Sequence, residues 1–264
     1  MRSWKRPILF VMGTVVCVLF YLFLLNIPEI GAASPTAGVI PVLLLAGAMV
    51  GLTALALRAE GWSGRLLGVC HDQRPFACFA AGLAAGAALA GLWMCAVTVI
   101  AGASWRPNPG FSAVALVLAC LFHLFNNLGE ELAYRGYLFL RLAKGSGAPM
   151  AVLVTSGVFA LLHLQAGLPW LSVLAGVFTS GLVFGAVFAR WRSLPLALGV
   201  HVATNLIQDV TGLRAGASSL WVSEQLVDSA GQGTRILLAI AALNTGVALV
   251  LLAWPRGGRV TGRR

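Results

Sequence analysis

The stretch Asn126-Asn127-Leu128-Gly129-Glu130-Glu131-Leu132-Ala133-Tyr134-Arg135-Gly136 decides the reading of this chain, because of where it lies. It sits inside an apolar run, about 111–142, that exceeds the roughly 20 residues a helix needs to cross a ~30 Å hydrocarbon core. An ionisable group at that depth costs at least ~2.5–3.5 kcal/mol on insertion scales, so it has a partner and a task. Only eight acidic residues occur among 264, and two of them are adjacent here.

The rest of the chain poses the same solvent problem. Hydrophobic residues make up 59% and charged residues 10%, with a mean hydropathy of +0.90. A soluble domain carries roughly 25% charged residues. Apolar runs at about 7–26, 38–57, 76–102, 111–142, 149–165, 169–189, 194–211 and 235–254 predict an all-α, polytopic transmembrane helix bundle of about eight spans. The whole of 1–264 reads as one integral membrane domain. Asn26-Ile27-Pro28-Glu29, 104–110 and 145–149 are breaks, and 211–234, with Glu224 and Asp228, is the longest.

Charge sets the orientation. With the N-terminus in the cytoplasm, 14 of the 18 Lys and Arg residues fall on that side and three (Arg106, Arg214 and Arg235) on the other, with Arg135 inside a span. Such a bias is the positive-inside pattern and places both termini in the cytoplasm. It also accounts for the net charge of +10 without nucleic acid, since the basic residues sit in short clusters between apolar runs. Arg2, Lys5 and Arg6 precede an apolar run, Pro7–Leu25, that is longer than a signal-peptide core, so an uncleaved first helix is expected. The five cysteines form no CxxC pair and lie mostly in apolar runs, where they read as packing residues.

Helix geometry separates the two glutamates, because neighbouring residues point about 100° apart. Arg135 follows Glu131 by four residues, so these two share a face and can pair. Glu130 aligns with Asn126 and Tyr134 and has no local counter-charge, which suits a residue that trades protons. His201 and Asn205 are also four apart and project from one face of the seventh span. Two convergent donors of this kind can stabilise a developing oxyanion, or simply bond two helices together. His163 lies four residues after Phe159 near the end of the fifth span. Glu130, His163 and His201 can be written as three zinc ligands, although the helical His-Glu-x-x-His arrangement is absent. His123, one heptad before Glu130, faces nearly the same way.

Glu130-Glu131-x-x-x-Arg135, Phe159-x-x-x-His163 and His201-x-x-x-Asn205, in that order on three separate spans, resemble the CPBP family of intramembrane proteases. The family is named for CAAX proteases and bacteriocin-processing enzymes and is also called Abi. The resemblance covers about 120–210, within a catalytic core of about 111–211. It implies an endopeptidase in which Glu130 activates water, His163 helps hold it, and His201 with Asn205 binds the carbonyl oxygen. Glu131 and Arg135 would support the site. No cofactor is expected, with zinc as the less favoured alternative. The implied partner is a membrane-associated or lipidated protein or peptide, in a bacterial cytoplasmic membrane. A proton-coupled transporter and a non-catalytic immunity or scaffold protein are the competing classes. Substrate, side of entry and oligomeric state stay open.

Overall fold

A computed structural model describes residues 5–25, 38–164, 167–214, 216–223 and 230–254. Arg2, the break at 26–37, Glu224, Asp228 and the basic residues Arg256, Arg259, Arg263 and Arg264 lie outside the described residues. The helices are α1 (Lys5–Leu25), α2 (Val39–Glu60), α3 (Pro75–Ala101), α4 (Ala113–Arg135), α5 (Tyr137–Ser146), α6 (Ala148–Leu164), α7 (Thr179–Trp191), α8 (Leu194–Val210) and α9 (Ala230–Ala253). One turn-rich π-helical segment, Ser172–Phe178, leads into α7. The fold is all-α, apart from a short antiparallel ribbon of β1 (Trp105–Pro107) and β2 (Trp221–Ser223).

Among the described residues six helical runs are long and apolar enough to cross a membrane: Lys5–Leu25, Val39–Glu60, Pro75–Ala101, Ala113–Ser146, Ser172–Trp191 and Gly233–Ala253. Large apolar side chains such as Leu9, Leu55, Val99 and Leu249 stand exposed around the bundle. In water such a belt would be a severe liability; facing lipid it is the required surface. The chain is an integral membrane protein. Helices α6 and α8 have 17 residues each, a rise of only about 25 Å, so length alone counts six candidate spans where hydropathy suggested eight.

The run expected as one helix over 111–142 is two. Its start is set by Ser112, whose hydroxyl accepts from the Ala115 amide at 3.3 Å, an N-cap. Its break is at Gly136, where a Cβ would lie 2.2 Å from the Leu132 carbonyl oxygen. No larger residue fits that approach, and α5 starts beyond it.

A close interhelical approach joins α3 to α8. Gly82 and Gly86 on α3 are four apart and meet α8 backbone to backbone, Gly82 at Leu196 and Gly199 and Gly86 at Val200. A Cβ on Gly82 would sit 2.2 Å from the Leu196 oxygen, and one on Gly86 2.5 Å from the Val200 oxygen. Small residues four apart let membrane helices gain dispersion contact where burial in lipid offers no hydrophobic drive. Buried Asn244 adds a polar tie, accepting from Trp93 Nε1 at 3.0 Å and donating to Thr179 Oγ1 at 3.1 Å. This frame fixes where α8 presents its polar face.

Gly91, also on α3, has nothing within 4 Å of the position a Cβ would take. Gly86→Leu should therefore destabilise the folded protein by about 1–3 kcal/mol or more. Gly91→Leu should change stability by less than about 0.5 kcal/mol. Thermal unfolding of the two variants in detergent checks this; equal effects would contradict the close packing.

Candidate functional site

Polar residues recur every fourth position on α4: His123, Asn127, Glu131 and Arg135, all buried. Helix α8 carries a matching row, His201, Asn205 and Asp209. The two helices run antiparallel, and the rows meet as three rungs. His123 Nε2 lies 2.6 Å from Asp209 Oδ2. Asn205 Nδ2 donates to Asn127 Oδ1 at 3.2 Å. His201 Nδ1 lies 2.9 Å from Glu131 Oε1. Four residues of rise set successive rungs about 6 Å apart.

The Arg135 end of the ladder is anchored by a buried ion pair. Arg135 Nη1 donates to Glu131 Oε1 at 3.2 Å, and Nη2 donates to the Gly181 carbonyl at 3.0 Å. Both side chains are 0% exposed. The guanidinium also lies 5.2–5.7 Å from the ring centroids of Tyr134, Phe159 and Phe184, within cation–π range. Arginine has only donors and stays charged, so the carboxylate that answers it can only accept. It follows that His201 donates from Nδ1, which turns Nε2 the other way.

Glu130 is one residue off the ladder, about 100° around the helix, and faces a cavity of about 390 Å³. Its side chain is 21% exposed, against 0% for Glu131. Asn126 Nδ2 donates to Glu130 Oε1 at 3.0 Å, and His201 Nε2 stands 3.5 Å from Glu130 Oε2. Phe184 stacks on the His201 ring with centroids 4.1 Å apart. The structure thus brings Glu130, His163, His201 and Asn205 to the wall of one cavity, while Glu131 and Arg135 lie behind it.

His163 reaches the same wall from α6 although its position along that helix suggested a different depth. Its Nδ1 donates to the Phe159 carbonyl at 2.8 Å, leaving Nε2 as an acceptor. Phe159 lies between the two imidazoles, 4.5 Å from the His163 ring and 5.8 Å from that of His201. Glu130, His163 and His201, the three ligands the sequence offers to zinc, do not gather. Among the described residues no three His, Cys, Asp or Glu side chains do. The set does not fit a three-ligand metal site.

Sequence reasoning missed Arg214, which charge alone placed in a loop. Its Nη2 donates to Asn205 Oδ1 at 3.2 Å, and Nη1 is 3.6 Å from Asp209 Oδ1. Because arginine cannot accept, this contact fixes which way the Asn205 amide points: oxygen towards Arg214, nitrogen towards Asn127 and the cavity. The loop is itself held by Asn108, whose Nδ2 donates to the Gly216 and Ser219 carbonyls at 3.1 and 2.8 Å. The fourfold spacing of His123, Asn127 and Glu131 was visible in the sequence; nothing there matched it to Asp209, Asn205 and His201.

Residues 111–207 match the family model described as type II CAAX prenyl endopeptidase Rce1-like. No curated protein and no solved structure matches the chain. The matched segment includes Glu130, Glu131, Arg135, His163, His201 and Asn205; Asp209 and Arg214 lie beyond it. That segment is an Rce1-like domain, of the kind that defines the CPBP, or Abi, family of intramembrane proteases.

Proposed function

We propose that the protein is an intramembrane endopeptidase that hydrolyses a peptide bond in a membrane-associated or lipidated substrate with water activated by Glu130. The observation that carries this reading is the off-ladder position of Glu130. It is the one carboxyl of the pair that faces the cavity, with a histidine nitrogen 3.5 Å away and an amide donor at 3.0 Å. A second carboxyl adds nothing to the Glu131–Arg135 pair, so a purely structural role leaves Glu130 unexplained.

The proton inventory is simple. Glu130 takes a proton from water as its oxygen attacks the carbonyl carbon. The tetrahedral oxyanion accepts from the remaining Asn205 N–H and from His201 Nε2. With Nδ1–H given to Glu131, His201 donates from Nε2 only as imidazolium, between two carboxylates. Glu130 then passes its proton to the leaving amine, the C–N bond breaks, and a carboxylic acid and an amine leave. His163 Nε2, an acceptor, orients the water. Donors preorganised for an oxyanion in a dry site are among the larger contributions to catalysis.

The CAAX-type substrate class follows the family match; a leader peptide or sorting tail would present the same scissile amide. On the charge bias, both termini are placed in the cytoplasm, with α6 and α8 as short internal crossings of an eight-span bundle. A bacterial cytoplasmic membrane is the location this arrangement suits.

In proteoliposomes containing a prenylated CAAX peptide, Glu130→Gln should lower cleavage by at least about 100-fold while the protein still inserts and folds. Chelators should leave the wild type active. Full cleavage by a folded Glu130→Gln variant would contradict this mechanism, and proton flux without cleavage would favour a transporter. Arg214→Met should lower kcat about tenfold through a misdirected Asn205 amide, with a smaller change in KM. Arg214→Lys should recover part of it. An unchanged kcat in Arg214→Met would remove that residue from the account.

A further inference from the structure

A second cavity, about 790 Å³, lies between α3, α7, α8 and α9 and shares no lining residue with the polar one. Its floor is a row of alanines on α3, among them Ala77, Ala81, Ala85 and Ala88. They recur at helical spacing beside the glycine face that grips α8. One small-residue face of α3 is consumed by close packing; the other opens a groove. Ala81, Ala85 and Ala88 are exposed, so the groove is open to the surroundings of the bundle, which for this protein is hydrocarbon. Walls this apolar do not hold water.

The groove is polar at one end only. Gln73, Arg74 and Ser193 lie there. Gln73 is spent on the Arg65 carbonyl and the Cys70 amide, and Ser193 caps α8 through the Leu196 amide. Asp72, the neighbouring acid, is tied to Arg65. Arg74 is therefore the charge at the mouth. It is exposed and stands at the N-cap of the 27-residue α3 with φ 51°, a left-handed conformation that costs a non-glycine residue. The positive end of the helix dipole adds to its charge. Trp191, half exposed at the same end, is the residue type that sits at headgroup level. From Ala77 to Leu89 the groove runs about 18 Å, close to the ~15 Å depth of one leaflet.

We infer that this groove binds an anionic phospholipid of the bilayer, with one acyl chain along the alanine row and the phosphate at Arg74. The match is of an amphiphile to an amphiphilic groove: apolar length, one charged end, and opposite charge on the headgroup. Val200 and Val183 in the wall adjoin His201 and Phe184 in sequence, so the bound chain supports the backs of the two helices that present the site.

The test is native mass spectrometry of the full chain released from nanodiscs of phosphatidylglycerol or phosphatidylcholine. It is paired with a phosphatidylglycerol carrying a photoreactive acyl chain. Phosphatidylglycerol should be retained several-fold more than phosphatidylcholine, and the photolabel should map to 77–92 or 183–200. Ala85→Phe, which fills the groove, should abolish retention and labelling. Arg74→Gln, which leaves the walls intact, should reduce phosphatidylglycerol to the level of phosphatidylcholine. Ala84→Phe, exposed on α3 but outside the lining, should do neither. Labelling elsewhere, unchanged retention in Ala85→Phe or Arg74→Gln, or equal loss in Ala84→Phe would overturn the inference.

Discussion

The structure depends on one buried charge. Arg135 has no access to water, and its counter-ion Glu131 has none either. Such a pair is not a source of stability in itself, since desolvation offsets most of the attraction, yet removing one partner costs about 3–5 kcal/mol because the other is stranded. The pair is retained where it fixes something. Here Glu131 also receives His201 Nδ1 at 2.9 Å. A charge that cannot leave holds a carboxylate that can only accept, and that carboxylate sets the orientation of an imidazole on another helix.

The remaining rungs carry the constraint along the α4–α8 interface. Asn127 with Asn205 and His123 with Asp209 pair at the same four-residue interval, so register is fixed by three contacts instead of one. A slip by one residue would bury all six groups without partners, each several kcal/mol out of water. The glycine contact of α3 with α8 fixes the same helix from its other side. Within this frame Glu130 is the exception: a carboxyl on the carrier helix that the ladder does not use, turned towards the cavity and the freed nitrogen of His201. The family match over 111–207 spans the elements that create this exception.

Hydropathy made most of the helices legible, because the bilayer requires apolar length whatever the tertiary contacts. It did not show the break at Gly136. That break comes from a 2.2 Å backbone approach, and Gly in an apolar run carries no hydropathy signal. It also marked α6 and α8, which at 17 residues each fall short of the length of the six long apolar runs. The Glu131–Arg135 pair was readable, since four residues is one helical turn. The partner of each α4 rung was not, since cross-helix register depends on packing. Arg214 reads in the sequence only as a charge on the non-cytoplasmic side; its contact with Asn205 exists only once Asn108 folds the loop back.

Glu131, held by Arg135, imposes the state of His201 on which the chemistry of the site depends. The chain has four histidines, few enough for nitrogen-15 NMR of a histidine-labelled sample to resolve each ring. His201 should carry a proton on Nδ1 in the wild type, with the signature disturbed in Glu131→Gln and cleavage falling alongside it. A wild-type His201 bare at Nδ1, or a Glu131→Gln variant with the same ring state and full activity, would contradict it.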